Sequence, residues 1–288
     1  WQKPKLWFTE SIETQFNIYW DSYVLTNGSF SFAMDIDSFY LIKWFYFKLP
    51  IIFHLAVIIF FYLLIKNKIY KYYQKNLPLS FSVYIILLVT FGFIVSTPVA
   101  YDGIRQYLFL LPFFAIFLVE TLNLLKIKNL KIGVVFGGVF LYLIFTQFGL
   151  GQYKYVYFNE FVNEDEISIN CEIVGGCGDW QTDYWGFSGK SLIENFNSMQ
   201  INQELYLCTP EHVFSTYLDS KTSKDISTIS PTNKEFFVAY LHRPMLLNDT
   251  CGLSKSSIEI NCQNFLVEST KLRSIPVYLS YVDKCKTN

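Results

Sequence analysis

The sequence predicts an α-helical integral membrane bundle with four transmembrane helices, followed by a C-terminal extracytoplasmic α/β domain. Three observations predict it. Apolar residues make up 52% of the 288 and charged residues only 16%, where soluble chains carry about 25% charged. The charge is also unevenly divided. Residues 1–149 hold 12 Lys/Arg and 7 Asp/Glu, and residues 150–288 hold 11 and 17, so a basic apolar half precedes an acidic mixed one. Finally, all six cysteines (Cys171, Cys177, Cys208, Cys251, Cys262 and Cys285) fall in the second half, which suits disulfides in an oxidising compartment.

The elements follow in order. Residues 1–47 carry Trp1, Trp7, Trp20 and Trp44 among many Phe and Tyr, interleaved with Glu10, Glu13, Asp21, Asp35 and Asp37. Aromatic rings with a wet edge favour the headgroup region, so one or two helices lying on the outer membrane surface are expected. A membrane-crossing helix needs about 17–25 mostly apolar residues. Four stretches within 48–150 meet that need, with spans near 49–65, 79–99, 106–125 and 132–150. The first is expected to be lengthened by the aromatics from Trp44. None of the four shows the polar residues at helical spacing that a soluble core helix presents to water.

Orientation comes from the loops. KNKIYKYYQK carries Lys66, Lys68, Lys71 and Lys75, and KIKNLK carries Lys126, Lys128 and Lys131, with no acid in either. The positive-inside rule makes both cytoplasmic. Residues 1–47, the loop Tyr101–Arg105 and everything after about residue 150 are then outside, in agreement with the cysteines. NGS at Asn27–Ser29 and NDT at Asn248–Thr250 are glycosylation tripeptides of a kind common by chance. The first residue is Trp1, not Met, and the chain is read as a fragment whose N-terminal portion lies upstream.

In residues 151–288 the stretch Ser188–Met199 spaces Leu192, Ile193, Phe196 and Met199 as a helix, with Ser188 as its expected N-cap. ELYLCT, EFFVAY, NFLVES and PVYLSYV read as strands, and Pro210 before EHVFSTYL reads as a short helix. Six cysteines allow 15 pairings, and proximity along the chain suggests Cys171–Cys177 and Cys251–Cys262. There is no CxxC pair, and no pattern spells a metal site, so divalent metal dependence stays open.

The segment Thr97–Pro112, TPVAYDGIRQYLFLLP, concentrates the chemistry. It sets Asp102 and Arg105 at the outer mouth of the second and third spans, where ionisable groups need a partner or water. The planar guanidinium of Arg105 suits a phosphate, and Asp102, three residues away, is placed to orient it. A structural pair that snorkels to the interface is the plainer alternative. Lys48 is either a second cation or an interface anchor. Asp183, Tyr184 and Trp185, an acid followed by two amphipathic aromatics, suit either sugar contact or domain packing. His54 and Glu120 lie within spans and receive no catalytic role, Glu120 being expected to reach Lys126 or water. The chain has no GxGxxG, P-loop, HExxH or GxSxG motif, and its basic residues flank the membrane instead of forming a nucleic-acid footprint.

YDGIRQYLFLLP resembles the YDG-x-RH-x-x-F-x-x-P segment of bacterial membrane glycosyltransferases related to dolichyl-phosphate-mannose–protein mannosyltransferases. IYWDSYVLTNGSF, FYLIKWFYFKLP, and GQYKYVYFNEFV followed by DWQTDYWGFSGKSL are similar to further segments of that family, in order over about residues 1–200. One departure is Gln106, where the family carries His. The resemblance implies a GT-C type fold that transfers a sugar from a polyprenyl-phosphate carrier to a protein, lipid or glycan acceptor. It implies a phosphate ligand in Arg105, an orienting partner in Asp102 and a sugar or phosphate contact in Tyr101. The family's catalytic acid sits in an outer loop with no counterpart here, so no catalytic residue is assigned within this chain. Two other classes compete: a non-catalytic membrane assembly subunit and a transporter-like protein. The mid-membrane charges and internal repeats of a transporter are scarce.

Overall fold

The computed structural model describes residues 5–6, 9–10, 23–66, 73, 75–125, 129–168, 178–201, 203–208, 211–218, 223–225, 235–242 and 260–287. The chain divides into two compact units, one of residues 1–26 and 30–143, the other of residues 27–29 and 144–288. Trp1, Trp7, Trp20, Cys171, Cys177, Cys251, Pro210, Asn248 and most of the loop lysines lie outside the described residues.

Of the segment 1–47, where surface helices are expected, residues 5–6 and 9–10 are helical, most of 1–22 lie outside the described residues, and a hairpin follows. Strands β1 (Tyr23–Thr26) and β2 (Ser29–Phe32) pair around Asn27 and Gly28, which have φ of 50° and 75°. Two successive left-handed residues make the tight turn that matches strand twist, and Asn-Gly is its preferred sequence. Helix α1 (Tyr40–Lys48) then buries Tyr40, Leu41, Trp44, Phe45 and Lys48 along one stripe. Trp44 is therefore a core residue, not a headgroup anchor. Its indole Nε1 donates to Thr26 Oγ1 at 3.0 Å, and its ring lies close against Gly103, where a Cβ would come within 3.1 Å.

Helices α2 (Ile51–Ile65), α3 (Leu77–Ser96) and α4 (Leu111–Leu124, extended by a 3-10 turn over Arg105–Leu110) form the bundle. Ala56, Phe60, Leu79, Phe117, Leu118 and Leu122 make its core. Asn76 caps α3 by accepting from Leu79 N at 3.0 Å, and its amide donates to Glu120 at 2.7 Å. Glu120 is thus held by Asn76, an adjacency that only packing creates.

Four spans are not what the structure supports. Among the described residues two helices, Leu77–Ser96 and Arg105–Leu124, are long and apolar enough to cross a membrane. The first expected span is split: α1 and α2 meet at 110°, and count as a third span only if the bent pair is taken as one. Pro50 is the cause, because a proline pushes the preceding residue out of the helical region, and Leu49 is extended, at ψ 136°. In the fourth stretch, α5 (Asn129–Phe148) presents an apolar helix of Gly133–Phe148, shorter than the other two.

The second unit is an α/β domain. Its sheet runs β4-β3-β5-β7-β6, with β3 (Leu205–Leu207) parallel to β4 (Ser223–Asp225) and β5 (Glu235–Leu241). β7 (Ile275–Thr287) lies antiparallel to both β5 and β6 (Ile260–Leu272). All four expected strands are present. Helices α6 (Glu164–Ile167), α7 (Ser188–Ser198) and α8 (His212–Ser215) complete the unit. Leu192, Ile193 and Phe196 of α7 pack on Leu205, Leu207, Phe237, Ala239, Leu241 and Val282. Alternate strand residues Tyr206, Phe236, Val238, Tyr240 and Tyr281 are buried on the opposite face, so β5 is apolar on both sides, as a central strand must be.

Cys262 and Cys285 form a disulfide, which overturns the expected Cys251–Cys262 pairing. They are directly opposite in the β6–β7 register, 4.1 Å apart at Cα though 23 residues apart in sequence. Cys208 is disulfide-bonded as well.

Candidate functional site

In the first unit the site residues cluster at the link between α3 and α4. Thr97, Asp102 and Gly103 have φ of 37°, 57° and 66°, so the link is a series of left-handed steps and not the helical turn the Asp–Arg spacing suggested. The pair forms nonetheless: Arg105 Nη1 donates to Asp102 Oδ2 at 3.2 Å. The Arg105 side chain is 55% exposed and that of Asp102 only 13%, so the carboxylate is the fixed member and the guanidinium the presented one. Tyr40 anchors the link from below, its hydroxyl donating to the Gly103 carbonyl at 3.2 Å. Tyr101 is half-buried in the same link. Lys48 is buried, with Nζ 5.5 Å from the centroid of the Trp44 ring, a cation–π arrangement and not an exposed interface anchor. His54 packs edge-on against Tyr46, ring centroids 5.0 Å apart.

The bundle also holds an apolar groove of about 320 Å³, lined by Val57, Phe60, Phe61, Leu87, Phe114 and Phe117 among others.

In the second unit Asp183 is fully buried. It accepts from Gly186 N at 2.8 Å, from Ser188 N at 3.1 Å, and from the Ser188 and Tyr155 hydroxyls. The Ser280 hydroxyl sits 2.7 Å from that of Ser188. Burial pushes the Asp183 carboxyl above the ordinary carboxylate range, and these donors oppose the push. Ser188 is therefore the first residue of α7 and not its cap: Asp183 receives the backbone N–H of the opening turn. Tyr184 is buried as well, whereas Trp185 is half-buried and stacks on Tyr155, centroids 5.3 Å apart at 14°.

This arrangement opens onto a cleft of about 510 Å³ between the start of α7 and α8, lined by Gln152, Trp185, Phe187, Lys190, His212 and Tyr217 with their neighbours. Tyr153 lines it too, within a hydrogen-bonded chain. Gln152 Nε2 donates to Ser191 Oγ at 3.0 Å, Ser191 Oγ lies 3.0 Å from the Tyr153 hydroxyl, and that hydroxyl donates to Glu268 at 2.8 Å. Burial, with Glu268 beside it, pushes the Tyr153 hydroxyl up to about 12, and burial raises Glu268 in turn.

Of the residues singled out from sequence, the structure joins Asp102 to Arg105 and sets Trp185 on the cleft. It buries Asp183 and Tyr184 beneath the loop that carries Trp185. Nothing in the sequence sets Phe187, Lys190, His212 and Tyr217 together, because the two cleft walls are about one element apart in the chain and share no local signal. Tyr155 and Ser188 had one: Asp183 precedes a glycine by three residues and a serine by five, the spacing of a carboxylate that folds a turn over itself. Among the described residues no three His, Cys, Asp or Glu side chains gather to hold a metal ion.

The chain matches no protein-family model, and neither the curated proteins nor the solved structures contain a significant match to it.

Proposed function

We propose that the chain is part of a membrane glycosyltransferase that uses a polyprenyl-phosphate sugar on the extracytoplasmic face. Arg105 binds the donor phosphate and Asp102 holds the guanidinium in place. One observation carries this reading: an exposed guanidinium, tied to a mostly buried carboxylate, where a short link enters the second of two membrane-length apolar helices. Such a link lies at headgroup depth, where the charged part of a lipid-linked donor resides, and a bidentate donor fork is the group that matches it. The apolar groove of the bundle supports the same reading, since it would take part of an isoprenoid chain. The reading assigns the acceptor-activating base to no residue of this chain. On this view the second unit, with its Cys262–Cys285 disulfide, faces the oxidising side.

The test is transfer of labelled sugar from polyprenyl-phosphate donors by membranes carrying the full-length protein. Arg105→Ala is expected to lower transfer by about tenfold or more, the loss of one charge-assisted contact, with Arg105→Lys intermediate and membrane insertion unchanged. Undiminished transfer in Arg105→Ala would reduce the residue to an interfacial ion pair. No transfer by the wild type from any donor would favour the non-catalytic subunit.

A further inference from the structure

The cleft of the second unit has walls of two kinds. Phe187 and Tyr217 line it while 56% and 40% exposed, and Trp185 joins them half-buried. Large aromatics left in water beside one another call for a partner with an apolar face. Around them stand Gln152, Lys190, His212 and Thr216, which together offer amide, ammonium, imidazole and hydroxyl groups, both donors and acceptors. A pyranose ring has that pair of surfaces: a patch of C–H bonds on one face, and hydroxyls around its edge.

The aromatic wall is also preorganised. Asp183 ties down Gly186 and Ser188 on either side of Phe187. Tyr155 stacks on Trp185, and Phe187 meets Trp185 edge-on at 5.3 Å and 82°. A ligand meeting these rings does not have to order them, which is where much binding energy is otherwise lost. The volume of about 510 Å³ falls within the roughly 300–1,000 Å³ of small-molecule sites and leaves room for more than one ring.

Charge and backbone narrow the class. Lys190 has Glu194, one turn further along α7 and outside the lining, at 3.8 Å, so its charge is already partnered, which favours a neutral ligand over an anionic one. The lining residues belong to α7 and the loop before it, to α8 and the turn after it, and to the loop of Gln152 and Tyr153. They present no strand edge, so the ladder by which extended peptides add to a sheet is not on offer.

We propose that this cleft is a carbohydrate subsite for pyranose units of a neutral glycan. On the glycosyl-transfer reading above, on which only this last role rests, it holds the acceptor.

The test is direct binding without any donor. The full-length protein in lipid nanodiscs is titrated calorimetrically with neutral tetrasaccharides of glucose, mannose, galactose and N-acetylglucosamine, and with a Ser/Thr-rich peptide. At least one tetrasaccharide is expected to bind, with Kd raised about tenfold or more in Phe187→Ala/Tyr217→Ala and kept within about threefold by Phe187→Trp. Both altered side chains are exposed, and an unchanged melting temperature checks that the double variant folds. The proposal is overturned if no tetrasaccharide binds, if the double variant binds as the wild type does, or if only the peptide binds. Because no donor is present, loss of transfer in Arg105→Ala leaves this result standing, and absence of saccharide binding leaves transfer standing.

Discussion

The two units put their side chains in opposite places. In the bundle the outward positions are apolar: Ile58, Leu77, Leu87, Phe91 and Val95 are all exposed. In the sheet domain polar groups point inward: Asn159, Asp183, Ser188, His242, Ser280 and Asp283 are buried. Each pattern would be ruinous in the other setting. Exposed apolar side chains cost little where the solvent is hydrocarbon, and buried polar ones cost little where every donor finds an acceptor. The bundle therefore draws its specificity from apolar packing, with short links such as Asp102–Arg105 at its ends. The sheet domain draws it from hydrogen-bonded hubs. Arg273 is a further example, its guanidinium donating to the carbonyls of Phe158 and Asn159 at 2.7 and 2.9 Å.

Removing a hub should break the contrast most sharply. Asp183→Ala leaves two hydroxyls and two backbone N–H groups without their acceptor and is expected to destabilise the second unit by more than about 3 kcal/mol. Thermal unfolding in detergent, read with proteolysis between residues 178 and 218, measures it. Melting at the wild-type temperature would show that the hub is dispensable. Asp183→Asn should cost less, since an amide oxygen can still accept.

The cross-strand disulfide comes next. Cys262→Ser/Cys285→Ser is expected to lower stability by about 2–4 kcal/mol, and a reductant should narrow the gap between wild type and variant. A melting temperature unmoved by reductant would place the stability of β6–β7 in packing alone.

Asp283 sharpens the comparison through pH. One of its oxygens accepts from Tyr240 at 2.8 Å, the other has no hydrogen-bond partner among the described residues, and burial lifts its pKa from 3.8 to about 6. The folded state thus holds a proton between about pH 4 and 6 that the unfolded state has released. Stability falls as pH rises through that window and is level above it. Asp283→Asn should abolish this slope and raise stability at pH 7 by about 1–3 kcal/mol. Melting temperatures from pH 4 to 7.5 decide, and a wild-type curve that climbs across the window would count against a buried neutral Asp283.

The smallest effect is expected in the bundle link. The Arg105 side chain is more than half exposed, so Asp102→Asn should change stability by less than about 1 kcal/mol. If it also lowers transfer while insertion holds, Asp102 works by positioning Arg105. A large stability loss would instead make the pair a strut of the link.

What could be read in the sequence was whatever is written at short range. The apolar runs that became α3 and α4 were legible as uninterrupted stretches long enough to cross a bilayer, and the four strand segments through their β-branched and aromatic content. Asn27–Gly28 carries an equally local hairpin signal, which overlaps the NGS glycosylation tripeptide. The break at Leu49–Pro50 also had its local signal, although the apolar run continues across it. The cleft was not legible, because Phe187 and Tyr217 are joined only when α7 and α8 pack beside each other. Nor was the Cys262–Cys285 pair, which depends on the register of β6 against β7.

By itself, then, the sequence determined which segments avoid water and which pair as strands, since hydropathy and backbone preference act over a few residues. Only the tertiary structure decided that Trp44 and Lys48 are buried, that Asp183 is a hub and Trp185 a wall. Burial and hydrogen-bond partners belong to neighbours in space, and those are set by the packing of elements that chain order does not bring together.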